Sequence, residues 1–101
     1  MFQRFVCFKF KPSTPPEAVE RHLAMFAALK DAIPQIASYV GGVTFLGGEG
    51  QRKFDTAHYV TYQTKEDIDI YIHHAAHQDF IEANKAHWEN VLVVDSKITS
   101  G

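Results

Sequence analysis

Hydrophobic and polar positions change period several times along this chain, and each change marks an element. The first run, Phe2–Phe10 (FQRFVCFKF), is aromatic and β-branched and predicts a strand. Phe2, Arg4, Val6, Phe8 and Phe10 share one side of it; Gln3, Phe5, Cys7 and Lys9 share the other. Both sides carry apolar bulk, whereas a strand with one wet face alternates cleanly, so something is expected to cover each side. Ser13-Thr14-Pro15-Pro16-Glu17 then combines a hydroxyl cap, proline in a first turn and a glutamate three residues after Thr14, which opens a helix. That helix sets Val19, Leu23, Phe26, Ala27, Leu29, Lys30 and Ile33 near a period of roughly 3.6 residues, and Pro34 ends it.

A second strand is expected from about Ile36 to Leu46, interrupted or bulged at Gly41-Gly42. Gly47–Lys53 is polar and glycine-rich; it lacks the following helix and the spacing of a phosphate-binding loop, and reads as a mobile turn. Ala57–Gln63 (AHYVTYQ) predicts a third strand, and Thr64 with Asp67 a capping box opening a short helix through Tyr71. A further helix is expected from roughly Ala76 to Trp88 and a last strand from Val91 to Ile98. The order β-α-β-β-α-β is the ferredoxin-like α+β plan, a four-stranded antiparallel sheet with the helices on one face. The face without helices is also rich in apolar side chains, and a bare patch of that size is an aggregation hazard. A second copy packed face to face removes it, so the expected state is a homodimer whose sheets close into a barrel.

Composition narrows the class. A length of 101 residues fits a single domain, 1–101, and 46% hydrophobic content with eight Phe makes it globular. A net charge of -2 with scattered Lys and Arg excludes a nucleic-acid partner, which needs a clustered basic face. Cys7, the one cysteine, cannot form an internal disulfide; inside an apolar run it reads as a small buried hydrophobe in a reducing, cytoplasmic setting. No apolar stretch nears the roughly 20 residues of a membrane span and no signal-peptide pattern opens the chain, so no membrane association is expected.

The candidate chemistry is concentrated in Asp69–Phe80, where Tyr71, His73, His74, His77 and Phe80 fall within about three helical turns. Imidazole, with a pKa of about 6.5, exchanges protons near neutrality. The cluster is therefore a proton-transfer site, a metal site or a packed polar seam. For acid–base work, His77 and Tyr71 need only face one cavity. For metal binding, His73 and His77 have i, i+4 spacing and His58 is available on the preceding strand. No HExxH-type pattern is present, however, and Asp79 falls elsewhere on an ideal helix, so neither metal nor cofactor is expected. As structure, His74 would cap a helix end and His77 would bond a core carbonyl. Tyr71, His74 and His77 lie three apart, and where the chain is helical such neighbours are expected to share a face turned toward the strand that carries His58. His22 and His87 sit among charges and read as solvated, and Trp88 reads as core or dimer rim.

With these residues in view, the chain resembles the stress-responsive A/B barrel (Dabb) family of dimeric α/β barrels. The marks are Phe8-Lys9-Phe10-Lys11 before a capped helix, Ile33-Pro34 after it, the Tyr71-x-x-His74-x-x-His77 motif, Phe80 three residues later, and Val93-Val94-Asp95 near the end. The likeness spans essentially the whole chain, and the Tyr/His motif is its most specific part. It implies a homodimer holding a small apolar or aromatic molecule in an internal pocket. It also implies cofactor-independent cyclase- or lyase-type chemistry with His77 as general base and Tyr71 as its partner, because a plant cyclase of this family closes a linear polyketide with the matching pair and no metal. His74, His58, Phe80 and Arg4 are the ligand-binding residues expected around them. The sequence departs from the family's pattern in three places: Arg4 stands where many members carry histidine, His74-Ala-Ala-His77 lacks the usual proline, and Ser96 replaces an aromatic. The alternative function is a non-catalytic, stress-associated structural or interaction domain.

Overall fold

Alternating runs become strands and capped runs become helices in the computed structural model, which describes residues 1–45 and 52–101. Strands β1 (Phe2–Phe10), β2 (Ser38–Val43), β3 (Thr56–Tyr62) and β4 (Trp88–Lys97) form one antiparallel sheet in the order β2-β3-β1-β4. Helix α1 (Pro16–Ala32) links β1 to β2. The second crossover is split into α2 (Lys65–His73) and α3 (Ala75–Asn84), followed by a 3-10 turn at Lys85–His87. This is the ferredoxin-like α+β fold. The expected end of the second strand at Leu46 and most of the glycine-rich turn fall outside the described residues.

Several boundaries differ from the sequence reading for local reasons. β2 pairs with β3 in unbroken register from Ser38 to Val43, so Gly41-Gly42 make no bulge. β4 starts at Trp88 because Phe10 pairs with it, across a register shift between Lys9 and Phe10. At the start of α1 the cap is Pro15, without a side-chain hydrogen bond. The Thr14 hydroxyl donates instead to the His87 carbonyl at 3.4 Å, tying the start of α1 to the approach to β4. The C-cap Ile33 is extended, as a residue before proline must be, and its N–H donates to the Leu29 carbonyl. At α2 the expected cap is present: the Thr64 hydroxyl accepts from the Asp67 N–H at 3.2 Å.

Strand pairing assigns each residue a face. On the helix side the rows read Tyr39-Val60-Arg4-Asp95, Gly41-His58-Val6-Val93 and Val43-Thr56-Phe8-Val91. On the open side they read Ser38-Thr61-Gln3-Ser96, Val40-Tyr59-Phe5-Val94 and Gly42-Ala57-Cys7-Leu92. Two of the open rows are thus apolar, and Val40, Tyr59, Leu92 and Val94 are exposed on them. The core lies between the helices and the β1–β3 centre of the sheet, built on Val6, Phe8, Phe26, Leu29, Ile33, Val60, Tyr62, Tyr71 and Phe80. The buried stripe of α1 is Ala18, His22, Phe26 and Leu29, a phase offset from the expected Val19, Leu23 and Ala27. His22, expected to be solvated, is fully buried. Its flat ring fits an aromatic box of Phe8, Phe10, Phe80 and Trp88, and its Nδ1 accepts from the Trp88 indole N–H at 3.4 Å.

Candidate functional site

The centre of the Tyr71–His77 segment is a helix break. His74 has ψ 140°, incompatible with a continuing helix, and it is both the C-cap of α2 and the N-cap of α3. Its Nδ1 accepts from the Ala76 N–H at 3.0 Å, in the way an aspartate or serine would at that position. Tyr71 therefore ends one helix and His77 begins the next. The break, rather than a shared helical face, folds them together, with ring centroids 4.4 Å apart. The His77 Nδ1–H donates to the Ile72 carbonyl at 3.0 Å. That bond fixes the tautomer of the neutral ring and leaves the Nε2 lone pair unprotonated. Burial pushes the His77 pKa down, opposed in part by the Ile72 bond, so the ring is neutral at pH 7. Burial pushes the Tyr71 phenol up to about 12, with Arg4 working against it, so Tyr71 keeps its proton.

Both side chains line a cavity of about 150 Å³ between the sheet and α3, with Phe8, Phe26, Phe80 and Trp88 as its aromatic walls. Val91 and Val93 form the β4 side and Arg4 reaches in from β1. The Arg4 guanidinium lies 5.9 Å from the centre of the Tyr71 ring. It is held by Asp95 through two hydrogen bonds, from Nε at 2.8 Å and from Nη2 at 3.0 Å, a bidentate geometry that fixes its plane. Beside Tyr71, the Tyr62 hydroxyl is buried without a hydrogen-bond partner among the described residues, and desolvation, with the neighbouring Tyr71 phenol, raises its pKa strongly.

Of the sequence candidates, then, the cavity gathers Tyr71, His77, Phe80 and Arg4. It does not gather His74, whose ring is committed to capping α3, or His58. The latter is fully buried under α1, stacked on Phe26 at 4.1 Å, with Nδ1 2.8 Å from the Tyr39 hydroxyl and Nε2 3.1 Å from the Thr56 hydroxyl. Burial, with repulsion from His22, lowers its pKa to about 3; burial alone lowers that of His22 to about 4. The sequence reading also missed Asp95 as the Arg4 partner, although both occupy helix-facing positions of the first and last strands, and it missed Tyr62. His73 is exposed and bonds the Asp69 carbonyl of its own helix. Among the described residues no group of three His, Cys, Asp or Glu is placed to hold a metal ion. No helix among them is long and apolar enough to cross a membrane.

Solved structures share this architecture closely. A protein of Arabidopsis thaliana is 25% identical, with a TM-score of 0.86 over 100% of this chain and 98% of its own. The hydroxynitrile lyase of Passiflora edulis is 16% identical, with a TM-score of 0.85 over 99% of this chain and 94% of its own. A protein of unknown function from Thermobifida fusca, described as dimeric and ferredoxin-like, is 18% identical, with a TM-score of 0.83 over 96% and 90%. No curated protein matches the chain. The family model for the stress responsive A/B barrel domain, Dabb, matches residues 2–98, and the chain, with this sheet order and its paired Tyr71 and His77, belongs to that family.

Proposed function

We propose that this chain acts as a homodimer that binds a small apolar or aromatic molecule in the cavity beside Tyr71 and His77 and removes a proton next to its carbonyl group, a cyclase- or lyase-type reaction without a cofactor. One observation carries the reading. His77 is half-buried against the Tyr71 ring with Nδ1 spent on the Ile72 carbonyl, so the only basic atom it retains is Nε2. In the proposed step Nε2 takes the proton while the neutral Tyr71 hydroxyl donates a hydrogen bond to the oxygen where charge develops. A positioned base of this kind contributes on the order of 10²–10⁴-fold in rate. The likeness to a hydroxynitrile lyase supports the reading only as far as the fold can house a lyase. Self-association is supported by the dimeric description of structural neighbours and by the two apolar rows on the open sheet face.

The test is hydrogen–deuterium exchange at the carbon next to the carbonyl of an aromatic ketone, run beside a binding titration. Wild-type protein accelerates the exchange, and His77→Ala abolishes it while the ketone still quenches Trp88, the chain's single tryptophan. Binding without any catalysed exchange in the wild type supports the non-catalytic domain instead.

A further inference from the structure

The aromatic cavity does not end at Arg4. A second, larger recess of about 410 Å³ begins on the outer side of the same residue, between α2 and the end of β4, and its lining differs in kind. It contains Arg4, Lys65 and Lys97 against Asp69 and Asp95, a local excess of positive charge in a chain whose net charge is -2. Asp95 is spent on Arg4, occupying Nε and Nη2 and leaving Nη1 without a partner among the described residues. Neither Lys65 nor Lys97 has an ion-pair partner among the described residues. Asp69, the other carboxylate, faces His73 at 3.6 Å.

A molecule lying in both recesses would place its apolar end among Phe8, Phe80 and Trp88 and its other end beside Arg4. A cavity of roughly 150 Å³ with apolar walls is large enough for one benzene ring. The remaining edge of a guanidinium already fixed in plane suits an oxygen anion, and two ammonium groups against the single remaining carboxylate of Asp69 favour the same sign. We infer that the natural ligand is an amphiphile with a ring-sized apolar end and a carboxylate end, the carboxylate held at Arg4 with Lys65 and Lys97 supplying the field. The inference rests on the cavity reading above and adds the chemical class of the ligand.

Phenylpropanoate, phenylpropanol and phenylpropylamine share an apolar end and differ only in head group, so titrating each against Trp88 fluorescence and by calorimetry isolates it. The acid is expected to bind about tenfold or more tighter than the alcohol, with the amine weakest. The preference should shrink as salt is added. Arg4→Gln is expected to abolish it. Because that variant strips Asp95 of its partner, Lys65→Gln/Lys97→Gln, which changes only exposed groups, provides a second measure and is expected to reduce the preference several-fold. Equal affinity for acid and alcohol in the wild type, or a preference unchanged in both variants, overturns the carboxylate inference while alcohol binding at Trp88 keeps the cavity reading. If none of the three probes binds, both fall.

Discussion

Lowering the pH is expected to unfold this protein through two histidines that solvent does not reach. His22 and His58 have folded pKa values of about 4 and about 3, against about 6.5 for a free imidazole. Among the described residues no carboxylate acts on either ring, and His22 is enclosed by Phe8, Phe10, Phe26, Phe80, Trp88 and His58 itself. Because the folded values lie below the unfolded one, the unfolded chain binds more protons in the interval. Stability is therefore full above about pH 6.5 and declines as the pH falls toward the folded values. Between neutrality and about pH 5 the linkage integrates to roughly 2 kcal/mol per ring, or about 4 kcal/mol for both. Small domains have about 5–15 kcal/mol in total, so this loss is large. His22→Phe is the informative perturbation, since it keeps a flat ring in the box and removes one titrating group together with its Nε2, which has no hydrogen-bond partner among the described residues. Urea unfolding at one fixed protein concentration, at about pH 7.5 and about pH 5, measures the difference. The wild type is expected to lose about 4 kcal/mol and the variant about 2 or somewhat less, because His58 is also freed from repulsion by a charged His22. His77 shifts in the same direction in both proteins and cancels. Equal losses in the two would refute the reasoning.

Four further outcomes follow from the geometry. Gly41→Ala places a methyl group against the Tyr39 hydroxyl and 2.8 Å from His58 Nδ1, so it breaks their bond and leaves buried groups unpaired; melting and denaturant titration should show a loss of about 1–3 kcal/mol. Tyr59→Glu/Val94→Glu puts charge in an apolar row of the open sheet face, and light scattering should then report the mass of one chain where the wild type reports two. Thr64→Ala removes the α2 cap and should cost about 1 kcal/mol in denaturant unfolding without altering ligand affinity. Any exchange activity at His77 should hold at neutral pH and fall on acidification below the usual imidazole range, since the base is lost when Nε2 is protonated; a rate that rises with acid would contradict the assignment.

The sequence made the fold easier to read than the site, and particular residues show why. Phe2–Phe10 and the Thr64/Asp67 box are local signals whose period and capping chemistry act within a few residues, so they survive into the structure unchanged. His22 was misread because Glu20 and Arg21 beside it suggested water, although its phase with Ala18 and Phe26, four residues either side, pointed inward. The break at His74 has no proline or glycine to mark it, yet the sequence ends one helix near Tyr71, starts the next near Ala76 and offers His74 as a cap, as the structure has it. It arises because an imidazole takes the role of a short polar cap. Arg4 and Asp95 meet across a separation of 91 residues, a contact that only the pairing of the first and last strands creates.

Strand β4 has two roles at once. It lies at an edge of the sheet, with one row of backbone groups paired to β1, and its Val91, Val93 and Asp95 carry the rim of the cavity and the anchor of Arg4. Any second copy that settles against this strand restrains the same wall a ligand touches, and any ligand that orders the wall prepares the strand for a neighbour. If the proposed dimer and the proposed ligand share this wall, thermodynamic reciprocity requires each to change the other's affinity by the same factor. Apparent affinity in this protein would then be a function of its own concentration, and dilution alone would act as an inhibitor.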